Sequence, residues 1–298
     1  MLIESQEGFC SQGHGTEGRY LGLPDPFGSL ETAKVVILPI PFDQTTTYTQ
    51  GADLGPAALI EASRNMETYD IETGKETYRM GIHTAEAVIA QNSEAMVTQT
   101  KNQALAFLKQ GKMVVGLGGE HAITPPLVAA YAELHNDFCV LQFDAHADLV
   151  PAYEGNPLSH ASAMSRVNEI DQVSHIVSVG IRSMSAEELP FINAPNTFFA
   201  HLIQEDDAWM DQVVKQLSDK VYITFDLDAF DAALMPSTGT PEPGGLSWRQ
   251  VTKILKKVAE SKQIIGFDVM ELCPIEAMKS PDYLAAKLIY KILSYLKD

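Results

Sequence analysis

At 298 residues the chain is long enough for one large α/β domain or two smaller ones. With 45% hydrophobic and 20% charged residues it can build a large core, which excludes wholesale disorder. Its 21 Lys and Arg against 39 Asp and Glu leave a net charge of −18, which argues against nucleic acid or a membrane surface as partner and mildly favours a cationic ligand.

Residues 1–32 carry several glycines and prolines and little periodicity, which predicts an arm laid on the surface ahead of a single domain over 33–298. Apolar runs rich in β-branched residues then recur at 33–40, 112–118, 138–143, 175–180, 196–200, 221–225 and 263–269. They do not alternate, so each is expected to be a strand buried on both faces. The amphipathic stretches between them, at about 93–110, 123–135, 205–219, 247–260 and 281–297, read as covering helices. Alternating strands and helices predict a mostly parallel sheet in a three-layer α/β/α domain, with its site beyond the carboxyl ends of the strands. Cys10, Cys139 and Cys273 lie far apart with no CxxC spacing, so neither a disulfide framework nor a thiolate zinc site is expected. A reducing compartment follows. No stretch approaches the roughly 20 apolar residues of a membrane span and no signal-peptide pattern is visible, so a cytoplasmic protein is expected.

Chemistry-bearing residues gather after three of these strands. The run 138–143 leads into Asp144-Ala-His146-Ala-Asp148, whose side chains at i, i+2 and i+4 point the same way in an extended segment. The run 221–225 ends in Asp226-Leu-Asp228, and 112–118 runs into Gly119-Glu120-His121, where glycines allow a tight turn that aims His121 over the sheet edge. A single Asp after a strand is ordinarily a turn or cap residue. Four carboxylates at one end of a buried sheet are different, because they repel and desolvate badly without a cation. Carboxylates and imidazoles without thiolates suit Mn²⁺ or a related borderline ion, and six candidate ligands fit two ions about 3.5–4 Å apart.

These residues, together with Ser159-His160-Ala-Ser and the segment Ser237-Thr-Gly-Thr-Pro-Glu-Pro-Gly-Gly245, resemble the signatures of the ureohydrolases, the arginase and agmatinase family, in order over roughly 33–298. The resemblance implies an arginase-like fold with a roughly eight-stranded sheet. It implies a first Mn²⁺ on His121, Asp144, Asp148 and Asp226 and a second on His146, Asp144, Asp226 and Asp228, with Ni²⁺ or Co²⁺ as other occupants. Two dications against four aspartates and a hydroxide leave −1, which suits a guanidinium cation. The resemblance further assigns Glu271 to hydrogen-bonding the guanidinium and His160 to relaying a proton to the departing amine. It also implies a homo-oligomer, trimeric or hexameric. Asp268 and Glu120 are candidates for orienting the ligands, and the remaining histidines, His14, His83, His135, His175 and His201, have no such context.

The reaction implied is release of urea from a small guanidino substrate, with agmatine and its product putrescine first. Aminopropylagmatine, guanidinobutyrate, arginine, formiminoglutamate and guanidine are the alternatives, and a catalytically silent binding or regulatory protein with this fold is the alternative of another class. Two departures from the family pattern stand out. Asp231-Ala232 replaces the usual Asp-Pro, and Val150 stands where arginases carry an asparagine that helps hold the α-carboxylate of arginine. Val150 therefore favours a decarboxylated substrate, and Glu154 is a candidate for facing its distal amine.

Overall fold

Residues along β1 (Val35–Ile40) show how the domain is layered: Val35 and Ile37 join one apolar core while Val36, Leu38 and Ile40 join another. Successive side chains on a strand point to opposite faces, so an unbroken apolar run puts the sheet between two cores. The computed structural model, which describes residues 16–203 and 206–297, builds that sheet from eight strands: β1, β2 (Ile82–Thr84), β3 (Met113–Gly118), β4 (Phe138–Phe143), β5 (Val173–Ile181), β6 (Thr197–Phe199), β7 (Lys220–Asp226) and β8 (Gln263–Met270). Their order across the sheet is β2-β1-β3-β8-β7-β4-β5-β6, and every pairing is parallel.

On one face lie α1 (Gly55–Ser63), α5 (Ala208–Gln216), α6 (Trp248–Ser261) and α7 (Ser280–Tyr295). On the other lie α2 (Ser93–Leu108), α3 (Thr124–Ala132) and α4 (Ala163–Val167). The local signals are ordinary ones. Asn92 caps α2 by accepting from the Ala95 N–H, and Ser247 with Gln250 closes a reciprocal capping box on α6. Among the described residues no helix is long and apolar enough to cross a membrane.

Three elements go beyond the sequence expectation: α1, β2 and α4. β2 is a three-residue edge strand and α4 has five residues, both too short to show a period, and α1 begins Gly55-Pro56, which reads locally as a turn. Of the arm expected over 1–32, residues 1–15 with Cys10 and His14 lie outside the described residues. Further along it, Tyr20, Leu21 and Leu23 are wholly buried in the core that holds α1 and α7. Tyr20 Oη donates to Ala286 O (2.7 Å) and the Leu21 N–H to Ser63 Oγ (2.7 Å). Burial of three such side chains is worth roughly 1.5–3 kcal/mol each against leaving them in water. Cys139 and Cys273 are free and buried.

Candidate metal centre and substrate pocket

Strand order decides what meets. β3, β8, β7 and β4 are consecutive neighbours at the middle of the sheet, so the segments leaving their carboxyl ends bring Glu120-His121, Glu271, Asp226-Leu227-Asp228 and Asp144–Asp148 to one place. His121 Nδ1 lies 3.1 Å from Asp144 Oδ2, 2.9 Å from Asp148 Oδ2 and 3.5 Å from Asp226 Oδ2. His146 Nδ1 lies 2.9 Å from Asp228 Oδ2 and 3.8 Å from Asp144 Oδ1. Ligand atoms of His121, Asp144 and Asp226 fall within 4.8 Å of one another, and so do those of Asp144, His146 and Asp228. Asp144 belongs to both groups and offers a different oxygen to each histidine. Asp226 joins only the first group, its other oxygen accepting the Asp228 N–H at 2.9 Å. Asp148 closes on His121 from a backbone with φ 54°, so the extended geometry expected through 144–148 ends before its last carboxylate.

A divalent ion fits these residues. His121 is buried and its Nδ1 makes no hydrogen bond, although three carboxylates surround it. Its other nitrogen is fixed: Nε2 lies 2.9 Å from Thr224 Oγ1, which donates to Asp268 Oδ1 (2.7 Å). Asp268 also accepts from Tyr222 Oη (2.8 Å) and Thr124 Oγ1 (3.1 Å). A donor chain of this kind holds a ligating imidazole in one tautomer with its free nitrogen toward the centre. Gln142 plays a similar part for Asp144, donating from Nε2 to Oδ2 at 2.9 Å while Ser178 holds its Oε1 at 2.7 Å.

Without a divalent ion the cluster needs protons. Burial and repulsion from Asp148 and Asp228 push Asp144 up to about 7, and burial with repulsion from Asp228 and Asp144 pushes Asp226 well above the carboxylate range. Burial disfavours charge on His146, but Asp228 outweighs it and raises the imidazole to about 10. Burial alone would raise Asp228, yet the facing His146 keeps it low. Asp144 and His146 thus bind protons more tightly folded than unfolded. Their contribution to stability is full below the unfolded pKa values, about 4 and 6.5, and is lost as pH rises through about 7 and about 10. The chelated protein is therefore expected to melt several degrees lower at pH 8 than at pH 5, with added divalent ion closing most of the gap. Calorimetry of chelated protein at the two pH values checks this, and a higher melting temperature at pH 8 would contradict it.

Glu271 stands beside the cluster with φ 67°, its N–H on Gly119 O (2.8 Å) and its Oε1 accepting the His121 N–H (2.7 Å). Non-glycine residues held at positive φ cost energy and concentrate at functional sites. Burial, with repulsion from Glu120, pushes Glu271 up to about 8. His160 borders the same cavity. Its ring is tied to Thr45 (Nδ1 to Oγ1, 3.2 Å), and burial pulls its pKa down. Glu120 does not point at the His/Asp groups. Both of its oxygens take hydrogen bonds from Thr45, and burial raises it to about 7. Gly119 is required for a reason other than turn geometry: a Cβ there would lie 1.9 Å from Phe42 O, because the β3 tip and the 41–47 loop are pressed together.

The cavity is lined by His121, His146, Asp148, Asp226, His160 and Glu271 at its floor and by Thr46–Thr49, Val150, Tyr153, Ser183–Ser185, Glu188 and Thr240 along its walls. No lysine or arginine lines it among the described residues. Glu154 lies outside it, in an adjoining depression that shares Thr46, Thr47 and Tyr153. His83 and His175 bond to the main-chain oxygens of Gly28 and Gln216, and His135 stacks on Tyr131, all away from the cavity. His201 packs near Phe199, also away from it.

Residues 33–294 match the model of the Arginase family. The chain belongs to the arginase family. It is 40% identical over 264 residues, 87% of this chain and 89% of the other, to the N(1)-aminopropylagmatine ureohydrolase of Thermus thermophilus. It is 31% identical to the agmatinase of Pyrococcus horikoshii, covering 90% of this chain and 94% of that one. The crystal structure of the agmatine ureohydrolase of Thermoplasma volcanium superposes with a TM-score of 0.80 at 30% identity, covering 90% and 91% of the two chains. The arginase-like sheet expected from the sequence is thus the one found. Within this arginase-family chain the residues that sequence reading missed are Thr45, Gln142 and Thr224. The last two had a signal, since each is a polar residue inside an otherwise apolar strand, two positions before an aspartate on the same face. Thr45 had none.

Proposed function

We propose that the chain hydrolyses a guanidino amine to urea and the free amine, using two divalent ions, Mn²⁺ first among them, held by His121, Asp144, His146, Asp148, Asp226 and Asp228. The observation that carries this reading is Asp144, whose two oxygens face two histidines in two overlapping His/Asp groups. When bound, such a pair of ions supplies the Lewis acidity that makes a water nucleophilic near neutral pH, which the resonance-stabilised guanidinium carbon requires. Glu271 offers a buried carboxylate to the planar guanidinium fork and orients it. His160 moves a proton to the departing amine. The carboxylates at the floor attract the cation, and a lining without lysine or arginine among the described residues offers an anion no partner.

A substrate without an α-carboxylate fits this cavity, and agmatine is the simplest of that class. Val150 is 8% exposed at the wall. A carboxylate against its isopropyl group, in a lining with no lysine or arginine among the described residues, would give up water without gaining a donor. That penalty of roughly 1–3 kcal/mol is about 5- to 150-fold in specificity. A second reading, N1-aminopropylagmatine, is favoured by the name of the Thermus relative and by the adjoining depression at Glu154. Urea release from agmatine, N1-aminopropylagmatine, guanidinobutyrate and arginine, compared as kcat/KM, tests both. Arginine is expected to be poorer than the better amine by the factor above; arginine turned over equally well would remove Val150 as the discriminator, and no urea from any of the four would remove the reaction.

A further inference from the structure

His160 is held from behind by a closed set of hydrogen bonds that the reaction chemistry above does not use. Thr45 gives its backbone N–H to Glu120 Oε2 (2.6 Å), and its Oγ1 lies 2.7 Å from Glu120 Oε1. The same Oγ1 accepts the His160 backbone N–H at 3.0 Å and lies 3.2 Å from His160 Nδ1. A hydroxyl has one proton to give and two lone pairs to offer. When Glu120 is ionised the hydroxyl donates its proton to Oε1 and keeps both lone pairs for His160, so Nδ1 must come to Oγ1 as an N–H. Ser159 Oγ, 3.4 Å from Nδ1, is the longer and weaker neighbour.

We propose that Thr45 and Glu120 are positioning residues that fix His160 as the tautomer protonated on Nδ1, leaving Nε2 unprotonated and turned to the cavity; this rests on the reading of His160 as the group that transfers a proton. An imidazole can take a proton at Nε2 and pass it on only if that nitrogen starts with its lone pair free, and the hydrogen bond at the other nitrogen sets which one that is. Glu120 stands beside His121 in sequence but serves the other histidine. The contact is built in by the β3 tip, where the Gly119 N–H reaches Ile40 O (3.2 Å) and the Glu120 N–H reaches Phe42 O (2.8 Å), which lays the loop carrying Thr45 over the Glu120 carboxylate.

The test uses the full chain with Thr45→Val, Thr45→Ser and Glu120→Gln, and with His160→Ala as the reference. Thr45→Val keeps shape and removes the hydroxyl, so kcat is expected to fall roughly 10- to 100-fold, with KM and bound divalent ion unchanged and Thr45→Ser back within about threefold of wild type. Glu120→Gln inverts the donor order. Its amide oxygen must accept the Thr45 N–H, its NH₂ then donates to the hydroxyl, and the hydroxyl proton is driven onto Nδ1. Imidazole ¹⁵N shifts of the Zn²⁺-loaded, histidine-labelled chain read the tautomer directly. They are expected to show His160 protonated on Nδ1 in the wild type and Thr45→Ser, and to show that preference lost in Thr45→Val and reversed in Glu120→Gln. A wild-type His160 protonated on Nε2 overturns the proposal whatever the variants do. So does Thr45→Val with wild-type kcat beside an impaired His160→Ala, or Thr45→Val that loses bound metal. His160→Ala with wild-type kcat instead overturns the underlying assignment of proton transfer.

Discussion

Asp144→Asn is expected to abolish urea release, with kcat/KM lower by at least about 10³-fold, because the Lewis acidity of bound ions is worth several kcal/mol and each 1.36 kcal/mol is a factor of ten. Asp144 is the carboxylate common to both His/Asp groups, so elemental analysis should find both ions depleted, whereas Asp148→Asn, whose carboxylate closes only on His121, should weaken chiefly one. The same substitution carries a second expectation for the chelated protein. Asp144 is buried among like charges, so chelated Asp144→Asn should lose much of the fall in melting temperature between pH 5 and pH 8 that chelated wild type shows. Near-normal activity with two ions retained in this variant would contradict the proposed centre at its root.

His160→Ala is expected to lower kcat by about 10²–10⁴-fold, the range of positioned acid–base groups, while the ion content stays at the wild-type level. The structure makes these two readouts separable. His160 belongs to neither His/Asp group and is tethered to Thr45 on the 41–47 loop, whereas the carboxylates and the other two site histidines hang from the sheet. A small external base such as imidazole should restore part of the lost rate if the defect lies in moving a proton. Depletion of metal in this variant would instead make His160 a structural support of the centre.

The candidate site was legible where its residues are contiguous and opaque where the fold assembles them. Asp144-Ala-His146-Ala-Asp148 and Asp226-Leu-Asp228 announce themselves because each follows an unbroken apolar run and packs several acids where a lone turn residue suffices. That β8 inserts between β3 and β7, setting Glu271 against the His121 N–H, could not be read. Parallel neighbours are joined by long crossovers, so no local turn chemistry records which strand lies beside which. Thr45 is opaque for another reason. It sits in Thr45-Thr-Thr-Tyr48, a stretch that reads as solvated loop, and its value comes wholly from a carboxylate 75 residues away. α1, β2 and α4 escaped because nine, three and five residues are too few for a periodic signal or begin with turn formers.

The turn at Tyr153–Asn156 closes on itself, with the Tyr153 ring near that of His160. Its two ends exchange main-chain hydrogen bonds (Tyr153 N to Asn156 O, 3.0 Å; Asn156 N to Tyr153 O, 2.8 Å), and Glu154 and Gly155 both take positive φ, 48° and 81°. Nothing in it anchors the sheet-borne carboxylates, yet its first residue walls the main cavity and its second borders the neighbouring depression. Floor and wall are therefore separable inheritances. A lineage can recut this turn to admit a longer or shorter amine while the strand tips keep one chemistry. The same division gives the engineer a place to graft: a two-residue loop of different length or charge, exchanged without disturbing the hydrolytic machinery beneath.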